Sequence, residues 1–217
     1  MAQLLVLPVR FIALLCQRQQ YALFNETVRV NQSLQEEIKR REHLELELKL
    51  QATTDPLTGL FNRRQYESLF QRELDRVRRH ASALSLCVVD LDHFKKINDE
   101  HGHDVGDQVL KHVSRLFVDT LRNTDIVGRF GGEEFVLLLD NSDLAALHQC
   151  VERIRICFAQ TCFKSTGNEV YCTLSAGLNL LGPGDSLEKV LNQADLALYR
   201  AKHNGRDRCE VYDEAYA

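Results

Sequence analysis

Apolar residues recur at Val30, Leu34, Ile38, Leu44 and Leu48 among Gln, Glu, Lys and Arg, in a stretch from Tyr21 to Ala52 that holds neither Gly nor Pro. That spacing predicts one long helix with an apolar stripe. Arg41 and Glu45 interrupt the stripe, so it fits a coiled-coil seam with a phase irregularity. One reading is a stalk that pairs in a homodimer; the other is a solvated helix packed on its own domain. Ahead of it, residues 4–16 are apolar but broken by Pro8 and Arg10. They fall short of the about 20 residues that cross a bilayer. An interfacial or partner-facing helix and the remnant of a membrane segment of a longer protein both suit them.

Thr54-Asp55-Pro56-Leu57-Thr58-Gly59-Leu60 breaks the helical pattern and marks a boundary between residues 1–52 and a domain over residues 53–217. Asn62 can cap a helix running to about His80. The run Ala83 to Val89 predicts a buried strand, closed by Asp90-Leu91-Asp92 and followed by a short helical turn over 93–99. A helix beginning at Asp104 or Gly106 presents Val109, Leu110, Val113, Leu116 and Phe117 on one face. Strands over 125–130 and 134–140, a helix over 143–159, a strand over 170–178, a helix carrying Leu187 to Ala201, and a strand near 209–212 complete the domain. The order strand, helix, strand, strand, helix, strand is the split βαβ arrangement. It implies an α+β, ferredoxin-like antiparallel sheet with helices over one face.

At 217 residues and 44% apolar content, the chain can bury one full core and leave a segment over. Its net charge of −4 gives no footprint for DNA or RNA, so any phosphate binding is local. The seven cysteines include no C-x-x-C pair, and several lie inside apolar runs. Reduced thiols of a cytoplasmic protein, without disulfides or zinc, are the expectation. No secretory leader is expected either, since the apolar start lacks a basic leader and a small-residue cleavage site.

Candidate chemistry centres on Gly131-Gly132-Glu133-Glu134-Phe135, set between Ile126-Val127-Gly128-Arg129-Phe130 and Phe135-Val136-Leu137-Leu138-Leu139. Adjacent glycines between β-formers predict a two-residue hairpin at Gly131-Gly132, with Glu133 at the first strand position beyond it. A solvated, charged turn would explain the pattern as well. If the Ala83 strand neighbours the hairpin, however, Asp90 and Glu133 converge. Two carboxylates in one partly buried site must take up a proton or bind a cation, and oxygen ligands favour a hard cation such as Mg²⁺. Asp107 sits in a first helical turn, where the helix dipole alone would favour it. Lys202 and Arg206 flank Gly205, which suits either a helix end or a phosphate grip.

Four segments, Asp90-x-Asp-x-Phe-Lys-x-Ile-Asn98-Asp, Gly102-His-Asp-x-Gly-Asp107, Gly131-Gly-Glu-Glu-Phe135 and Ala201-Lys-x-x-Gly-Arg206, together resemble the GGDEF family of diguanylate cyclases. The resemblance covers residues 53 to 213 and implies a palm-type domain that condenses two GTP into cyclic di-GMP and two pyrophosphates. It implies that Asp90, Glu133 and the Leu91 carbonyl hold Mg²⁺, or Mn²⁺, and that Glu133 helps deprotonate the ribose 3′-hydroxyl. Asn98 and Asp107 would read guanine. Lys202, Arg206 and the amides around Phe94 and Lys95 would hold phosphates, and Gly132 would let the nucleotide lie on the hairpin. Arg122-Asn-Thr-Asp125 matches the family's Arg-x-x-Asp site, where cyclic di-GMP binds as an allosteric inhibitor. The family's two-fold product implies a homodimer. Two mild departures stand out: Glu rather than Asp at 133, and His93 where an aromatic is frequent. The rival readings are an inactive cyclic di-GMP receptor module and a mononucleotide cyclase. The expected location is the cytoplasm, with contact of residues 4–16 at the inner face of the membrane left open.

Overall fold

The structure, a computed structural model, describes residues 3–80, 84–140, 143–165, 168–182 and 184–213; on its first helix, side chains are described at 17–21, 26 and from 29 onward. By its internal contacts the chain divides into two units, one up to Leu50 and one from Gln51.

The first unit is made of helix α1 (Gln3–Thr53) up to Leu50, and the helix continues past Pro8. The described stripe residues Val30, Leu34, Ile38, Leu44 and Leu48 are all exposed. Glu37 pairs with Arg41 at 3.5 Å and His43 with Glu47 at 3.2 Å, both one helical turn apart, which supports the helix without apolar packing. No helix among the described residues is long and apolar enough to cross a membrane. The expectation of a membrane or partner contact through residues 4–16 falls on side chains outside the described residues.

The second unit is built on a six-stranded sheet of order β1-β3-β4-β2-β7-β8. Its elements in chain order begin with β1 (Phe61–Asn62), α2 (Arg63–His80), β2 (Leu84–Leu91), α3 (Phe94–His101) and α4 (His103–Thr120). They continue with β3 (Ile126–Gly131), β4 (Glu134–Leu139), α5 (Leu144–Ala159) and a separate hairpin, β5 (Phe163–Ser165) with β6 (Asn168–Val170). The last are β7 (Leu174–Leu181), α6 (Leu187–His203) and β8 (Cys209–Val211). The central order β3-β4-β2-β7 is antiparallel throughout and is the ferredoxin-like arrangement; β1 and β8 add parallel edges.

Helices cover both faces of this sheet, not one. Along β2, Cys87, Val89 and Leu91 join a core with Val109, Val113 and Phe117 of α4 and Val151, Ile154 and Phe158 of α5. The alternate residues Leu86 and Val88 join Tyr66, Phe70 and Leu74 of α2 and Val190, Ala194 and Leu198 of α6. All eight residues of β2 are buried, and its near-continuous apolar run, without the alternation of a strand that keeps one solvated face, is what covering on both faces requires. The strand expected over 170–178 also begins later. Val170 ends the β5–β6 hairpin, residues 171–173 are not strand, and β7 runs to Leu181.

Small residues set how closely α6 lies on the sheet. A Cβ at Gly177 would stand 2.0 Å from the Ala194 carbonyl oxygen and 2.4 Å from the Leu198 nitrogen, so the helix backbone rests directly on β7. This contact fixes the C-terminal end of α6, and with it Lys202. Ser186 caps the start of α6, accepting from the Lys189 N–H at 3.2 Å, and Asn62 caps α2 by accepting from the Gln65 N–H at 3.0 Å.

Candidate active site

The turn between β3 and β4 is Gly132-Glu133, one residue later than the sequence suggests. Gly131 pairs with Glu134 after a bulge between Arg129 and Gly131, and Gly132 takes φ 48°. Glu133 therefore stands in the turn itself and not on the strand. Arg129 secures that turn: its Nε and Nη2 donate to the Gly132 carbonyl at 3.0 and 2.7 Å, while its Nη1 meets Asp55 Oδ1 at 3.0 Å. Asp55 in turn accepts from the Thr58 N–H and hydroxyl at 2.9 and 2.6 Å.

β2 lies beside β4, with Asp90 opposite Glu134, and the Leu91 N–H donates to the Glu133 carbonyl at 3.4 Å. Asp90 and Glu133 are thereby brought together. Asp90 is buried, and burial raises its pKa against the opposing effects of Lys202 and Arg206. Glu133 is half-buried; burial raises its pKa first and the Asp90 charge adds to the rise. The Lys202 ammonium, on the last turn of α6, meets Asp90 Oδ2 at 2.8 Å. Such a site is short of positive charge, and the protein's own cation supplies part of it. Among the described residues no three His, Cys, Asp or Glu side chains converge as a metal site. Two carboxylates and a main-chain carbonyl nevertheless suit a hard cation that draws its remaining oxygen ligands from phosphate and water.

Two further segments named by the sequence lie at helix ends. His93 enters α3 in a left-handed conformation (φ 56°) and makes no side-chain cap, so the first-turn N–H groups at Phe94 and Lys95 are not capped by it. Arg206 lies beyond α6 in a left-handed conformation (φ 61°) followed by Asp207 (φ 47°). Its N–H donates to the Ala201 carbonyl at 3.0 Å.

Asn98 of α3 and Asp107 of α4 come from neighbouring helices that approach closely at Gly106. A Cβ on Gly106 would fall 1.9 Å from Asn98 Oδ1 and 3.1 Å from the Phe94 ring, so a bare backbone there makes room for the carboxamide. The motif reading included Gly106 without giving it this part.

A cavity of about 970 Å³ between α6 and β8 includes none of these groups. A family model described as "Diguanylate cyclase, GGDEF domain" matches residues 52–208. The chain belongs to the GGDEF family. It is 44% identical over 183 residues to the diguanylate cyclase DgcP of Pseudomonas aeruginosa, covering 84% of this chain and 27% of DgcP. A diguanylate cyclase of Vibrio cholerae is 39% identical over 165 residues, 76% of this chain and 51% of that protein. The chain thus spans between about a quarter and a half of these relatives. Among solved structures, the coiled coil and GGDEF domain of DgcB from Caulobacter crescentus in complex with c-di-GMP superposes with a TM-score of 0.78 at 32% identity, covering 85% of this chain and 97% of that one.

The Arg-x-x-Asp segment of this GGDEF domain folds as a closed turn. The Asp125 N–H donates to the Arg122 carbonyl at 2.9 Å; Asp125 Oδ2 accepts from the Arg122 N–H at 2.8 Å and Oδ1 from the Asp140 N–H at 3.3 Å. Each oxygen keeps a second lone pair for a ligand. Arg153 of α5, absent from the sequence reading, lines the same pocket of about 150 Å³. The six described cysteines are free, with Cys87 and Cys172 buried but Cys157 and Cys162 exposed, so burial does not extend to all the thiols.

Proposed function

We propose that this chain is a diguanylate cyclase that condenses two GTP into cyclic di-GMP and two pyrophosphates. The observation that carries the reading is the Asp90–Lys202 contact at 2.8 Å beside Glu133, two carboxyls with raised pKa values next to a mobile-length cation. GGDEF membership supports it.

Asp90, Glu133 and the Leu91 carbonyl would hold Mg²⁺ or Mn²⁺, which when bound neutralises charge building on the α-phosphate. Lys202, which rests on Asp90, is long enough that it would reach a terminal phosphate of bound GTP. Arg206 and the α3 amides at Phe94 and Lys95 orient the same phosphates. Glu133, whose pKa is raised by burial and by the Asp90 charge, would hold a basic oxygen for the 3′-hydroxyl proton. Asp107 accepts from guanine N1–H and N2–H with Asn98 beside it; adenine offers no matching donors, which selects GTP over ATP. Gly132 leaves the face of the turn open to the nucleotide.

One domain carries one such set, and the product has two equivalent halves. Two copies must therefore meet, each 3′-hydroxyl beside the other's α-phosphate, and the exposed stripe of α1 is suited to pairing them in a cytoplasmic homodimer. Arg122 and Asp125, joined by Arg153, would receive the product as an inhibitor.

Incubation with GTP and Mg²⁺ followed by mass identification of the product tests the reading. Cyclic di-GMP, with inhibition by added product relieved in Arg122→Ala, is the expected result. Cyclic GMP would point to a mononucleotide cyclase, and cyclic di-GMP binding without turnover to a receptor module.

A further inference from the structure

We infer that Asp92 is a positioning residue for the phosphate grip: its carboxylate fastens the Arg206–Asp207 loop to the end of β2 and so aims Arg206 at the terminal phosphates. This inference rests on the cyclase reading above. Asp92 is 3% exposed, yet none of its three side-chain partners is a cation. Its Oδ2 accepts from the Thr173 hydroxyl at 2.7 Å and from the Asp207 N–H at 3.1 Å, and its Oδ1 accepts from the Ser175 hydroxyl at 2.7 Å.

A buried carboxylate is tolerated only when its oxygens are satisfied, and here neutral donors from β7, the segment before it and the α6–β8 loop do so. That arrangement engages neither Lys202, which rests on Asp90, nor the Arg206 guanidinium. The loop needs the anchor because two successive non-glycine residues, Arg206 and Asp207, adopt left-handed conformations that persist only where surroundings enforce them. The Asp207 backbone is tied to Asp92, and its side chain is tied to Arg155 Nη1 at 2.6 Å. Arg206 has the Ala201 carbonyl behind its own N–H and no described side-chain anchor of that kind, so its direction follows from the loop.

Asp92 also sits at the junction of the cradle. It follows Leu91, precedes the left-handed His93 that opens α3, and donates its own N–H to the Thr173 carbonyl at 2.9 Å. One carboxylate thus sets the α6–β8 loop against the strand end from which the Phe94 and Lys95 amides begin. A charge is used where a hydroxyl would serve for packing alone, because an anionic acceptor holds three donors at once and binds them more strongly.

The test uses the full chain and two probes, 3′-deoxy-GTP, which lacks the nucleophile and binds without turnover, and GMP, which lacks the terminal phosphates. Asp92→Asn should weaken 3′-deoxy-GTP about tenfold, the range expected when a charge-assisted contact is lost. GMP affinity should change less than about twofold. In a background of Arg206→Ala, Asp92→Asn should add little, since its effect runs through that guanidinium. Thr173→Val, which removes one of the three hydrogen bonds, should give a smaller loss of the same kind and serves if Asp92→Asn does not fold. Equal loss of both ligands, or losses that multiply in the double variant, would assign Asp92 to packing and overturn the inference. A wild-type chain with no preference for 3′-deoxy-GTP over GMP would overturn the cyclase reading, and this one with it.

Discussion

Lys202 Nζ rests 2.8 Å from Asp90 Oδ2, a cation of the protein's own lying on the carboxylate that a divalent ion would claim. The helix that delivers it is seated by the bare backbone of Gly177, so the contact is a product of packing as much as of charge. Without nucleotide, Lys202 and Arg206 together offset only part of what burial does to Asp90.

Glu133 has no such ion-pair partner within the described contacts, and burial and Asp90 both raise its pKa. A carboxyl whose folded pKa exceeds its unfolded one stabilises the fold fully below the ordinary carboxylate pKa, and that contribution is lost as pH rises through the raised value. Ionised Glu133 is then a mild liability at neutral pH. Glu133→Gln should lower turnover at least about a hundredfold, the scale of losing transition-state charge stabilisation. It should also raise Tm at pH 7, by no more than about 2 °C given partial exposure, with the difference shrinking toward pH 4. Thermal melts at both pH values beside turnover assays check this.

Gly106→Ala sets a methyl against Asn98 and Phe94, the first of which would lie 1.9 Å away. Alanine favours the helix by about 1 kcal/mol, which offsets part of the crowding in stability. KM for GTP should rise about tenfold, the loss of roughly one good hydrogen bond to guanine, while Tm shifts little. Steady-state kinetics with GTP and ATP would show the preference between them narrowing.

Arg129 joins Asp55, just beyond the long helix, to the carbonyl of Gly132 in the turn that carries Glu133. Arg129→Ala should lower kcat about tenfold with little change in KM, as expected when a group acts on placement of a reacting residue and not on binding. Arg129→Lys should not restore it, because one ammonium cannot reproduce the guanidinium fork.

Polar substitution of Leu34, Ile38, Leu44 and Leu48 together tests whether α1 pairs two copies. Specific activity should fall at dilute protein and recover as concentration rises, and sedimentation should show the shift toward monomer. Unchanged turnover in a proven monomer would contradict the paired arrangement.

Much of this fold was legible because its signals are local. Helices α4 and α6 announce themselves by apolar period, and the cap at Asn62 is a side-chain rule. The order of elements around Asp90 and the hairpin was enough to bring Asp90 and Glu133 together. What escaped depends on pairing across long separations. The bulge after Arg129 shifts the turn from Gly131-Gly132 to Gly132-Glu133, and no local pattern encodes a bulge. The edge strand β1 is two residues long, and β5–β6 lies outside the main sheet, so neither presents a periodic run. Asp92 was visible as a motif letter, but its partners lie at Thr173, Ser175 and Asp207, more than 80 residues away in each case.

The central claim is one ion shared between Asp90, Glu133 and a guanosine triphosphate. A crystal of the full chain grown with Mn²⁺ and 3′-deoxy-GTP, read by anomalous scattering, tests it most directly. The account predicts a manganese peak touching both carboxylates, with Lys202 withdrawn from Asp90 onto the phosphates. A nucleotide bound with no peak there, or with Lys202 still on Asp90, would contradict it.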